Sequence, residues 1–155
     1  MRRRGRVNVL GAACFRPGGG RARFVYRLLT WRGRKGERKS FGLREYRVFL
    51  TALHQQLRAP VVLVWDNINV HKTPELTEWM ERQEWLRVFH LPRYAPELNA
   101  VEGVWSLLKR SIVNFLLAGL DELEALVRSR LKQIQYRPDA IIGCLTETGL
   151  TFAPP

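Results

Sequence analysis

Two acidic residues stand where metal-assisted phosphoryl chemistry would need them. Asp66 follows the apolar run VVLVW, at the exit of a strand expected to be buried, and Glu102 falls in the first turn of an amphipathic helix after a proline-punctuated loop. A carboxylate at a strand end can point into a cleft while its backbone stays fixed. Mg²⁺ needs that, because it tolerates little departure from octahedral geometry. Two such ions roughly 3.5–4 Å apart activate a water or a 3′-hydroxyl and stabilise the leaving oxygen of an in-line displacement at phosphorus. Each residue also has an ordinary reading. Asn99-x-x-Glu102 has the spacing of a capping box, in which Glu102 only reaches back to the Asn99 amide. A strand-end Asp followed by Asn67 is often a turn former. His71, in the loop after Asp66, is placed to touch a phosphate or to do nothing.

The elements around these acids follow from apolar periodicity. Residues 7–15 and 21–30 read as a strand hairpin, the first strand covered on both faces, joined by the turn signal RPGGGR. A basic, glycine-punctuated loop spans 31–42. Tyr46, Phe49, Leu50, Leu53 and Leu57 then recur at helical spacing, with His54 off the stripe as a surface residue. The run 61–65 is a strand, Thr73 and Pro74 open a helix over 73–84, and WLRVFHL at 85–91 is another strand. Asn99 caps a long helix whose stripe is Val101, Val104, Trp105, Leu108, Ile112, Phe115 and Leu116. Further helices run from Asp121 to about Tyr136 and from Pro138 to Thr148. The strand–helix–strand unit 61–91 favours a parallel, right-handed crossover. Chemistry in open α/β sheets collects at the carboxyl ends of parallel strands, where Asp66 sits.

The 155 residues suit one domain with a real core. Their net charge of +12 is unevenly placed: residues 1–60 hold 16 basic against two acidic side chains, a surplus of 14, and residues 61–155 hold 10 against 12. A basic half of this size points to a polyanion such as nucleic acid. Arg32, Arg34, Lys35, Arg38 and Lys39 in the basic loop, with Lys109 and Arg110 on the Glu102 helix, are the candidate backbone contacts; a solvated surface is the plain alternative. No apolar run approaches the roughly 20 residues of a membrane helix. Cys14 and Cys144 are far apart and lie outside any metal-ligand spacing, as reduced cytosolic thiols would.

The stretch WDNINVHKTPEL followed by LPRYAPELNAVEGVWSLLK strongly resembles the catalytic core of DDE superfamily transposases of the mariner-like bacterial insertion-sequence type. The family pattern is carried by Asp66, Asn67, His71, Leu91, Pro92, Tyr94, Pro96, Leu98, Asn99, Val101, Glu102, Trp105, Leu108 and Lys109, with 35 residues between the two acids. The resemblance implies an α/β, ribonuclease-H-like mixed sheet flanked by helices. It implies Mg²⁺-dependent (or Mn²⁺-dependent) cleavage and joining of transposon ends and target DNA by a homo-oligomer in the bacterial cytoplasm, associated with the nucleoid. Asp66 then matches the second catalytic, metal-holding acid and Glu102 the third, with Asn67, His71, Asn99 and Trp105 in support.

One element of the family pattern is missing. The first catalytic Asp belongs on the first, central strand, and residues 1–65 contain no Asp; their acids are Glu37, in the basic loop, and Glu45, at a helix start. The resemblance therefore predicts the C-terminal part of a transposase catalytic domain, with hairpin 6–31, core 43–117 and C-terminal helices 120–149, lacking the central strand and inactive alone. Its partner would be an upstream transposase half or a full-length transposase. The alternatives are a non-catalytic DNA-binding or interaction remnant, and a nuclease of the same fold without transposition.

Overall fold

The computed structural model describes residues 5–150 and Phe152. Its elements are β1 (Arg6–Cys14), β2 (Arg23–Trp31), α1 (Leu43–Leu57), β3 (Val61–Trp65), α2 (Pro74–Glu81), β4 (Leu86–His90), α3 (Ala100–Ile112), α4 (Leu120–Gln135) and α5 (Pro138–Glu147). Short 3₁₀ turns at Asn69–Lys72 and Pro96–Leu98 precede α2 and α3. The strands are mixed in direction, as expected, and form two two-stranded sheets: β1 with β2 antiparallel, β3 with β4 parallel. The chain divides into two compact units, one being Phe41–Asn99 and the other the segments on either side of it.

In the flanking unit the hairpin meets three helices. Phe24, Val104, Leu108, Val127, Leu131 and Ile141 form its core, with Val104, Leu131 and Ile141 wholly buried. Truncating any of these to alanine removes apolar contacts and leaves a cavity, at a typical cost of about 2–5 kcal/mol for Leu or Ile. Two glycines allow the closest approaches. A Cβ at Gly11 of β1 would lie 2.6 Å from the Trp105 ring, and a Cβ at Gly103 of α3 would lie 2.8 Å from Cys144 Sγ. Trp105 meets Phe24 edge-on at 6.0 Å. Arg32 pairs with Asp121 at 2.7 Å, and the Thr30 hydroxyl donates to Glu124 at 2.7 Å, tying β2 to α4.

In the Phe41–Asn99 unit, α1 buries Tyr46, Phe49, Leu50 and Leu53 as their spacing predicts. Glu45 accepts the Gly42 amide at 2.9 Å and so closes the N-terminus of α1. The Tyr46 ring stands edge-on to Trp65 at 6.0 Å, placing α1 on the Trp65 face of the β3–β4 pair. The opposite face carries Val62, Val64 and Phe89, which are 65%, 48% and 59% exposed. β3 is thus covered on one face, not buried on both as its continuous apolar run suggests.

Two helices end sooner than their patterns predict. α2 stops at Glu81 because Gln83 turns back: its amide donates to Met80 O and its side chain to Trp79 O. α3 stops at Ile112, where Val113, Asn114 and Phe115 favour helix weakly and the Phe115 amide closes a tight turn on Ile112 O. Phe115 and Leu116, expected on the buried stripe, are therefore exposed, and the Arg130 guanidinium lies over the Phe115 ring at 5.1 Å. His54, expected at the surface, is half-buried: it stacks on Trp85 at 4.3 Å and bonds Ala59 O.

Candidate functional site

Asp66 leaves β3 where the backbone is held firmly. The preceding carbonyl, Trp65 O, accepts the Leu91 amide at 2.8 Å, just beyond the last register pair Trp65–His90. Parallel pairing puts the carboxyl ends of both strands at one edge, so Asp66 and the loop after β4 leave from the same place.

His71 turns back onto this edge from the Asn69–Lys72 turn. It is 7% exposed and is the buried polar or charged residue among those described. Its ring lies flat on Trp65, 3.9 Å between centroids and 2° between planes, and Tyr46 closes the side edge-on at 5.3 Å. Nδ1 stands 2.7 Å from Asp66 Oδ1 and 3.3 Å from Asp66 O. Both neighbours are acceptors, so Nδ1 carries the proton. Burial holds the His71 pKa below its ordinary value, against the pull of Asp66, so the ring is neutral at pH 7.

The carboxylate and the main-chain oxygen of Asp66 thus share one imidazole N–H, the carboxylate being the nearer. Asn67 Oδ1, beside it, is a buried acceptor without a hydrogen-bond donor among the described residues, as Trp65 Nε1 is a donor without an acceptor. Buried polar atoms are rarely left unpaired without a reason. Asp66 as a whole is 42% exposed, so the carboxylate reaches both protein and solvent. Hard oxygens of this kind suit Mg²⁺ or Mn²⁺. No group of three or more His, Cys, Asp or Glu side chains able to hold a metal ion occurs among the described residues.

Glu102 belongs to the other compact unit, in the first turn of α3. The capping-box reading fails: the Asn99 amide donates to Pro96 O at 3.0 Å, and Glu102 has no hydrogen bond or ion pair among the described residues. A carboxylate at this end of a helix is favoured by the helix dipole by about 0.3–1 kcal/mol. Asn99 caps the Pro96–Leu98 turn immediately before α3. Trp105 packs against Phe24 and Gly11 and so fixes α3. Gly103 was not legible as part of this apparatus, although a glycine inside a helix is itself a signal of close packing.

Neither acid of residues 1–65 is free for chemistry. Glu37 accepts the Arg32 and Arg34 amides at 2.8 and 3.2 Å, which hold its pKa below the ordinary value, and Glu45 serves the α1 terminus. The basic loop is therefore an ordered turn, pinned also by Asn8 Nδ2 to Lys39 O at 2.8 Å. Arg34, Lys35, Arg38 and Lys39 are exposed on it, and Lys109 and Arg110 on the last turn of α3. Arg32 differs from the expectation, since Asp121 and Glu124 already engage its guanidinium.

Residues 37–124 match the family model of the DDE superfamily endonuclease. The chain belongs to that family. Both Asp66 and Glu102 of this DDE family member lie inside the matched span. It is 35% identical over 52 residues to the insertion element IS630 uncharacterized 39 kDa protein of Shigella sonnei, a match covering 34% of this chain and 15% of that protein. Its fold is that of the Mos1 transposase catalytic domain, solved with raltegravir and Mn: TM-score 0.55, 13% identity, 95% of this chain and 84% of that one. The corresponding Mg structure matches with a TM-score of 0.54 at 14% identity, over 95% and 85%. The DDE chain is thus α/β and ribonuclease-H-like, as its motif implied.

Proposed function

We propose that this chain is the C-terminal part of an insertion-element transposase catalytic domain, with Asp66 and Glu102 as two of three carboxylates that hold divalent metal for DNA strand cleavage and transfer. The observation that carries the reading is Asp66 itself. It stands at the carboxyl end of a parallel strand, inside the family match, with its carboxylate 2.7 Å from His71 Nδ1 and partly open to solvent. A bound Mg²⁺ or Mn²⁺ would supply Lewis-acid polarisation of the scissile phosphate. The chain's own share is to fix the Asp66 carboxylate through His71 and Trp65, and to grip the DNA backbone with Arg34, Lys35, Arg38, Lys39, Lys109 and Arg110. Asn67 offers a second oxygen beside Asp66, while Asn99 and Trp105 position the start of α3.

In this reading the first carboxylate comes from an upstream half or a full-length transposase, and the chain alone does not cleave. It works on transposon ends and target DNA as a homo-oligomer, in the bacterial cytoplasm at the nucleoid. No helix among the described residues is long and apolar enough to cross a membrane. The test is cleavage of matching transposon-end DNA by the purified chain with Mg²⁺ or Mn²⁺. No product is expected, and robust cleavage abolished by Asp66→Ala would overturn the inactivity. A second reading, a DNA-binding remnant that interferes with a full transposase, is favoured by the basic surplus of 14 in residues 1–60. Salt-sensitive DNA binding with no activity under complementation would select it.

A further inference from the structure

Tyr94 is 98% exposed and holds a backbone φ of +59°, a conformation that costs most non-glycine residues energy. Among the described residues, the other non-glycine residue with positive φ, Arg58, is explained as the αL cap of α1, its amide on His54 O at 2.9 Å. Tyr94 ends no helix. The loop that carries it is fastened on both sides: the Leu91 amide on Trp65 O at 2.8 Å, and the Pro96–Leu98 turn closed by the Leu98 amide on Ala95 O at 3.2 Å. Pro92 and Pro96 stiffen it further. An aromatic ring is thus presented to solvent from a braced tip, with exposed Arg93 beside it.

The tip also has a defined address. Leu91 bonds the residue before Asp66, and three residues of chain span at most about 10 Å. Tyr94 therefore leaves the carboxyl edge of the β3–β4 pair close to Asp66, within one compact unit. We propose that Tyr94 is a stacking platform for an unpaired DNA base at this edge, with Arg93 on the adjacent phosphate. The net charge of +12 favours a polyanion over an apolar protein surface as the occupant. Stacking on an aromatic ring is tolerant of base identity, so the preference is for single-stranded or frayed ends rather than for a sequence. This inference rests on the DNA reading given above.

The experiment uses the full chain and DNA duplexes with a short overhang bearing 2-aminopurine at successive positions, at low salt. Wild type is expected to quench one position and to prefer the overhang to a blunt duplex. Tyr94→Ala should lose the quench and about tenfold in that preference, while keeping blunt-duplex affinity and thermal stability. Tyr94→Trp should retain both signals. Quenching by Tyr94→Ala equal to wild type would overturn the proposal and leave the DNA reading intact. So would binding without quenching at any position, or a Tyr94→Ala change confined to self-association. Failure of wild type to bind any of these duplexes would sink the DNA reading itself.

Discussion

His71 Nδ1 stands 2.7 Å from Asp66 Oδ1 and 3.3 Å from the main-chain oxygen of the same residue. The imidazole thus braces the carboxylate through one oxygen and leaves its other lone pairs open. Trp65, flat against the ring, fixes where that brace stands. Three side chains from β3, the following turn and α1 converge on one acid, and a carboxylate that must present an oxygen in fixed geometry needs such support.

Mn²⁺ titrated into isotope-labelled chain should broaden the amide signals of Asp66 and Asn67 first. Asp66→Asn should remove the effect. His71→Ala should weaken Mn²⁺ binding by about tenfold, the low end for loss of a group that orients a metal ligand. His71→Asn, which keeps a donor near the Nδ1 position, should recover most of it. Broadening that survives Asp66→Asn would dissociate this acid from metal.

The α3–α5 contact makes a paired prediction about glycines. Gly103→Ala places a methyl 2.8 Å from Cys144 Sγ and 3.3 Å from its Cα, so backbone as well as side chain must move. A loss of about 1–3 kcal/mol is expected in denaturant unfolding. Gly143, inside α5, has nothing within 4 Å of an added Cβ. Gly143→Ala should therefore raise stability by roughly 0.5–1 kcal/mol.

Acid sensitivity should trace in part to Glu124. Its pKa is lowered chiefly by the Thr30 hydroxyl, then by Arg128 and Arg32. A depressed carboxylate pKa stabilises the fold above the unfolded value of 4.5, and that contribution is lost as pH falls through the lower folded value. Thr30→Val should cost less than about 1 kcal/mol at pH 7, since the pair is solvent-screened. It should also flatten the stability change below pH 4.5. An unchanged acid limb in Thr30→Val would contradict the assignment.

Much of the fold was legible because apolar spacing dictates it. The α1 stripe, the bounds of β3 and the parallel pairing of β3 with β4 all follow from period and connection length. The misses have physical causes. Nothing in VVLVW says that one face will lack cover, and periodicity cannot see the turn that ends α3 before Phe115. The asymmetry of the site is similar. Asp66 and His71 are five residues apart and their meeting depends on a local turn, whereas the failure of the Glu102 capping box turns on where one amide, that of Asn99, had already gone. Arg32 looked like its basic neighbours until Asp121, 89 residues away, engaged it.

If Asp66 and Glu102 are two acids of a three-acid centre, each must be needed for cleavage once the first acid is supplied. The direct measurement is end-DNA cleavage with Mg²⁺ by this chain mixed with the N-terminal half of a DDE catalytic domain that carries the first strand-end Asp. The chain alone should give no product. The mixture should cleave, and Asp66→Ala or Glu102→Ala in this chain should each abolish that activity. Cleavage by the mixture that is indifferent to both substitutions would contradict the claim.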